Sequence, residues 1–89
     1  MSAPGPRWTQ DQAIAYEAAL EAINDVISGY SEQIDIARNA TPPDTRRIDF
    51  LHFRTEQALD LKDALNVEDT QAVQEILNEY GVIVRARDE

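Results

Sequence analysis

TQDQAIAYEAALEAINDVISGYSEQIDIARNA, residues 9–40, decides the fold. Tyr16, Leu20, Ile23, Ile27, Tyr30, Ile34 and Ala37 recur at alternating spacings of four and three. A mean spacing of 3.5 keeps such residues on one seam of an α-helix over many turns, as in a coiled coil. Beside that seam runs a second ridge of small residues, Ala15, Ala18, Ala22, Gly29 and Ala40. Small side chains let a neighbouring backbone come close, so two adjacent faces of this helix ask to be covered. One packed partner cannot cover both.

Working outward, the helix has a recognisable beginning. Thr9 is the predicted N-cap, Gln12 its reciprocal capping-box partner, and Trp8 a hydrophobic staple leaning towards Ala13. Before them, residues 1–7 (MSAPGPR) hold two prolines and a glycine and read as a disordered tail. Residues 8–89 read as a single helical domain. Gly29 weakens the helix interior by up to about 1 kcal/mol relative to alanine. Its place on the alanine ridge points to a close backbone approach. At the other end Thr41, Pro42, Pro43 and Asp44 stop the helix and begin the next.

Helix 2 is predicted from about residue 44 to 64, antiparallel to helix 1 (about 9–40) because the turn between them is short. Ile48, Leu51, Thr55, Ala58, Leu59 and Leu65 make one apolar face. Phe50, Phe53, Leu61 and Ala64 widen it to an arc of about 240°, well beyond the roughly 100° that one surface helix buries. A break at residues 66–69 then caps helix 3, predicted over about 67–86 with carboxylates in its first turn. Gly81 interrupts the run Val73, Ile76, Leu77, Tyr80, Ile83 and Val84. Either the helix continues through it, or residues 82–86 are extended. The apolar phase favours the helix. The expectation is an all-α, three-helix, coiled-coil-like bundle, dimeric because helix 2 and the first turns of helix 1 lack partners within one chain.

Composition narrows the function classes. The chain carries a net charge of −9, which argues against phosphate-backbone binding and therefore against nucleic acid as a partner. There is no cysteine, which removes disulfides, thiol catalysis and thiolate metal sites. No apolar run approaches the ~20 residues of a membrane span, and no secretory h-region opens the chain, so no membrane partner is expected and the cytoplasm is the default compartment. One histidine, no glycine-rich phosphate loop and no nucleophile elbow leave no catalytic constellation and no cofactor site. His52 and Glu56 stand one helical turn apart. Two ligands on one helix fall short of a metal site, and a solvated acidic strip accounts for them.

What remains is association. The interface residues expected are Trp8, Tyr16, Leu20, Phe50, Phe53 and Leu61. Charge is unevenly spread: residues 36–54 carry a net +2 while residues 55–80 carry −6. If helix 3 returns to the hairpin tip, Arg38, Arg46, Arg47, Arg85 and Arg87 gather into a basic docking pole. Arg46 and Arg47 are the informative pair, because a helix N-terminus disfavours cations. They call for an acidic or phosphorylated partner, or a carboxylate of a second subunit. The reading is a non-catalytic structural or adaptor protein that homodimerises and meets a protein partner. The alternative is an acidic inhibitor, such as an antitoxin, immunity protein or nucleic-acid mimic, covering a basic site on its target.

Overall fold

A computed structural model describes the backbone of residues 8–88 and the side chains of residues 8–86. The tail expected over residues 1–7, the Arg87 side chain and Glu89 lie outside the described residues. Three helices, α1 (Gln10–Asn39), α2 (Thr45–Ala64) and α3 (Thr70–Asp88), account for the regular structure, with no strand among the described residues.

Each boundary has a local cause. At the start of α1 the Thr9 hydroxyl accepts from the Gln12 N–H at 3.1 Å, and the Gln12 side chain accepts from the Thr9 N–H at 2.8 Å. The reciprocal bonds satisfy two donors that the first turn leaves open. α1 ends where Ala40 turns extended ahead of the Pro42–Pro43 pair. The two helices are then stitched at the tip: the Asp44 N–H donates to the Ala37 carbonyl at 3.0 Å, and the Asp44 carboxylate caps α2 through the Arg47 N–H. α3 starts at Thr70, later than the expected residue 67. Asn66 accepts from the Glu68 N–H in a turn, which leaves Asp69 to cap α3 through the Ala72 N–H. Glu68 and Asp69 therefore precede the helix, and its first turn carries no carboxylate. α3 continues through Gly81 without a break, so residues 82–86 are helical.

Side-chain bonds fix the directions. Arg47, Arg54 and Lys62 of α2 bond Gln33, Tyr30 and Asn24 of α1. As one number rises the other falls, so α2 is antiparallel to α1. At the opposite end Gln12 donates to the Thr70 hydroxyl at 3.0 Å. Further along α3, Gly81, Val84 and Arg85 border the same shallow depression as Ala18, Ala22 and Asp25. Both numbers now rise together, so α3 runs parallel to α1.

α1 is the shared spine. α2 and α3 each pack on it, yet no Cα atoms of α2 and α3 lie within 8 Å of each other among the described residues. The main core cluster is Ala19, Ile23, Val26, Ala58, Val73, Ile76 and Tyr80, and Ile34, Ala37 and Leu51 are buried besides it. Ile23, Val26 and Leu51 are fully buried, and each contributes about 1.5–3 kcal/mol by leaving water. The most deeply buried line of α1 lies between its two ridges because a helix flanks each one. α3 beds on the small side, against Ala15 and Ala22. Counting equal rises from the Gln12–Thr70 bond brings the last turn of α3 level with Gly29, which is buried.

This corrects the expectation that the first turns of α1 lack a partner within the chain. α3 begins beside Gln12 and borders Ala15 with Thr70 and Val73, and Val67 of the preceding turn lies beside Tyr16. The unaccompanied part is the tip: α1 extends about ten residues, roughly 15 Å, past the end of α3. Among the described residues, no helix is long and apolar enough to cross a membrane.

Candidate functional site: the uncovered face of α2

α2 buries only Leu51 and Ala58. With 3.6 residues per turn, that places α1 along a single line and leaves most of the apolar arc outside. Phe50 is 56% exposed, Phe53 57% and Leu61 40%. Arg47, Phe50, Arg54, Gln57, Leu61 and Ala64 follow one another at alternating steps of three and four. They form a second stripe, about a quarter turn from the buried line and on the same side as α3.

The last four residues of that stripe form one wall of a groove of about 680 Å³ between α2 and α3. Asp60 adds to that wall, and Glu79, Tyr80 and Ile83 of α3 make the other. The groove exists because the backbones of α2 and α3 stay more than 8 Å apart while both pack on α1. In it the Arg54 Nε–H donates to the Tyr30 hydroxyl at 3.4 Å. That bond, strengthened by the phenol's charge when ionised, raises the Arg54 pKa above its already high ordinary value. Burial pushes the Tyr80 phenol up; Tyr30 and Glu79 add to the rise and the Arg54 cation opposes it. The groove is thus apolar along Leu61, Ala64 and Ile83, with a cation held at its tip end and the carboxylates Asp60 and Glu79 on its walls.

The expected interface residues fall into two groups. Trp8, Tyr16 and Leu20 are brought together with Ala13, Glu17 and Val67 around a shallow depression at the base of the bundle. There Tyr16 and Leu20 are half-buried and Trp8 is 41% exposed. Phe50, Phe53 and Leu61 are on α2, and none of them borders that depression. Of the five arginines, the four whose side chains are described are not brought together. Arg46 and Arg47 stand at the tip in the first turn of α2, and Arg38 lies in the last turn of α1. Arg85 borders the depression over the alanine ridge, level with Asp25 and about 20 Å short of Arg38 at 1.5 Å per residue. α3 starts too far down the spine, and is too short, to carry it further. Arg47 also has a partner that a local reading does not supply: its guanidinium donates to the Gln33 side chain at 2.8 Å.

Two features of the site had no separate signal in the sequence. One is the pairing of Arg54 with Tyr30 beside Tyr80, whose members lie on three different helices. The other is Ile36, 66% exposed on the length of α1 that α3 does not reach. His52 and Glu56 are both exposed, and no group of three or more His, Cys, Asp or Glu residues is placed to hold a metal ion among the described residues. Comparison of the chain with family models, curated proteins and solved structures finds no match.

Proposed function

We propose that this protein works by helix-mediated association, as a non-catalytic structural or adaptor protein whose first partner is a second copy of itself. The observation that carries the reading is the exposure of Phe50, Phe53 and Leu61 on one helix that uses only Leu51 and Ala58 for its own packing. Aromatic residues dominate the energetics of interfaces and are poorly accounted for on a surface that meets only water. The groove beside them supplies a seat, since a helix laid in a groove is a recurrent mode of recognition. Light scattering coupled to size exclusion tests it. A mass near twice 10.0 kDa at tens of micromolar is expected, and a constant 10.0 kDa up to millimolar concentration overturns the reading.

A second reading rests on charge. Glu17, Glu21, Asp25, Glu32 and Asp35 are all exposed on α1 and make an acidic surface suited to covering a basic site on a target. The two readings differ in salt response. Capture held by carboxylates weakens steeply as ionic strength rises, whereas association through apolar helix faces does not.

A further inference from the structure

We propose that two copies pair through α2 in antiparallel orientation, about a two-fold axis passing between Thr55 and Glu56, so that the basic tip of each copy lies on the acidic groove of the other. The inference rests on the self-association reading above and adds its geometry.

Three observations lead to it. The first is the charge order along α2. Residues 45–54 carry Arg46, Arg47 and Arg54 against Asp49, and residues 55–64 carry Glu56, Asp60 and Asp63 against Lys62, so the halves are +2 and −2. Only an antiparallel pair sets unlike halves together; a parallel pair sets arginines on arginines.

The second is that this order opposes the helix dipole. The N-terminus of a helix disfavours cations and its C-terminus disfavours anions. Yet the start of α2 sets Arg46 and Arg47 against the single capping carboxylate of Asp44, while Asp60 and Asp63 outnumber Lys62 towards its other end. A solitary α2 is weakened by that arrangement. In an antiparallel pair each terminus lies beside the opposite terminus of the neighbour, and both charges gain a partner. Arg46 comes level with position 65, about 8 Å along the helix from Asp60 of the partner subunit and within reach of it for a long side chain. Arg47, on the groove side, comes level with position 64 and faces Glu79 of the partner subunit.

The third is the apolar register. Phe50 and Leu61 are equally far from the proposed axis, so each phenyl ring packs on the partner's Leu61, with Phe53 and Gln57 between them. The third helices do not obstruct the pairing. α3 accompanies only the half of the hairpin away from the tip, so in an antiparallel pair the two copies of α3 fall at opposite ends. The tip of one copy, with Phe50, enters the open groove of the other along Leu61, Ala64 and Ile83.

Charge reversal combined with cysteine placement tests the geometry. Arg46→Glu with Arg47→Glu makes both halves of α2 acidic, and Asp60→Lys with Glu79→Lys removes the groove's two carboxylates. Each double variant alone is expected to self-associate at least about tenfold more weakly than the wild type. An equimolar mixture restores pairing to near the wild-type level, which also shows that both variants are folded. The chain has no cysteine, so an introduced one reports unambiguously. Ala64→Cys alone should resist oxidative cross-linking, because antiparallel pairing holds its two copies about 25 Å apart along the helix. Mixed with Arg46→Cys it should cross-link, since a disulfide needs Cα atoms within about 7 Å. A wild type that stays monomeric by light scattering overturns the association reading itself. A dimeric wild type whose Ala64→Cys variant cross-links to itself, or whose charge variants pair undiminished, overturns the antiparallel geometry and leaves that reading intact.

Discussion

Leu51→Ala and Phe50→Ala make a matched pair one residue apart on α2, and their difference reports which way the helix faces. Leu51 is 2% exposed against α1, so its truncation removes a fully packed side chain and leaves a cavity. Such changes cost about 2–5 kcal/mol, a large share of the 5–15 kcal/mol that holds a domain together. Phe50 keeps less than half of its surface from water. With a phenylalanine side chain of roughly 200 Å², burial contributes at most ~2 kcal/mol, and less once the residual contacts of alanine are counted. At about 4–8 °C per kcal/mol, Leu51→Ala lowers the melting temperature by roughly 8–40 °C in chains at low micromolar concentration, and Phe50→Ala by distinctly less. Circular dichroism melts give both numbers. Repeating them at a hundredfold higher concentration separates the roles further, because association adds stability only where partners are abundant. The loss at Phe50 should then grow while the loss at Leu51 stays constant. A larger loss at Phe50 than at Leu51 in the dilute sample would mean that α2 is rotated by about a quarter turn, and the site described above would dissolve with it.

Gly81→Ala should raise stability by up to about 1 kcal/mol in urea titration, because Gly81 lies inside α3 and the nearest atom to a new Cβ is Arg85 Nη1 at 3.6 Å, an ordinary contact. Thr9→Ala should lower stability by about 1 kcal/mol, with Thr9→Ser close to neutral, since the capping box needs only the hydroxyl. Tyr80 predicts a loss of stability in alkali. Its folded pKa is raised, so its contribution is whole below the unfolded value of about 10 and falls as pH rises towards the higher folded value. Melting temperatures followed upward from pH 9 should decline less steeply in Tyr80→Phe than in the wild type; identical slopes would contradict this.

Local chemistry was the most legible part of the chain. Thr9 and Gln12 form the capping box because both partners lie within one turn, and the prolines at 42 and 43 end α1 wherever the rest of the chain goes. The two ridges of α1 likewise foretold two flanking helices, because a helix presents its faces independently of what covers them. Legibility failed where two groups competed for one role or where the answer depended on how helices cross. Asn66 and Asp69 are both good caps; Asn66 closed a turn instead, and α3 began at Thr70. The apolar face of α2 named from the sequence does contain Leu51 and Ala58, which it buries, but the wide arc gave no sign of what would cover the rest. The wheel cannot show how far apart α2 and α3 lie, so the groove and its Arg54–Tyr30 bond had to be seen in three dimensions. The same limit separated Arg85 from the tip, since its position depends on the Gln12–Thr70 register at the far end of the bundle.

Sedimentation equilibrium of the wild-type chain, carried from one micromolar to one millimolar, puts the whole account at risk in one experiment. Exposed rings on α2 should drive the weight-average mass from near 10.0 kDa towards twice that value. A mass that never leaves 10.0 kDa across the range would show that Phe50, Phe53 and Leu61 face water without a second copy to meet.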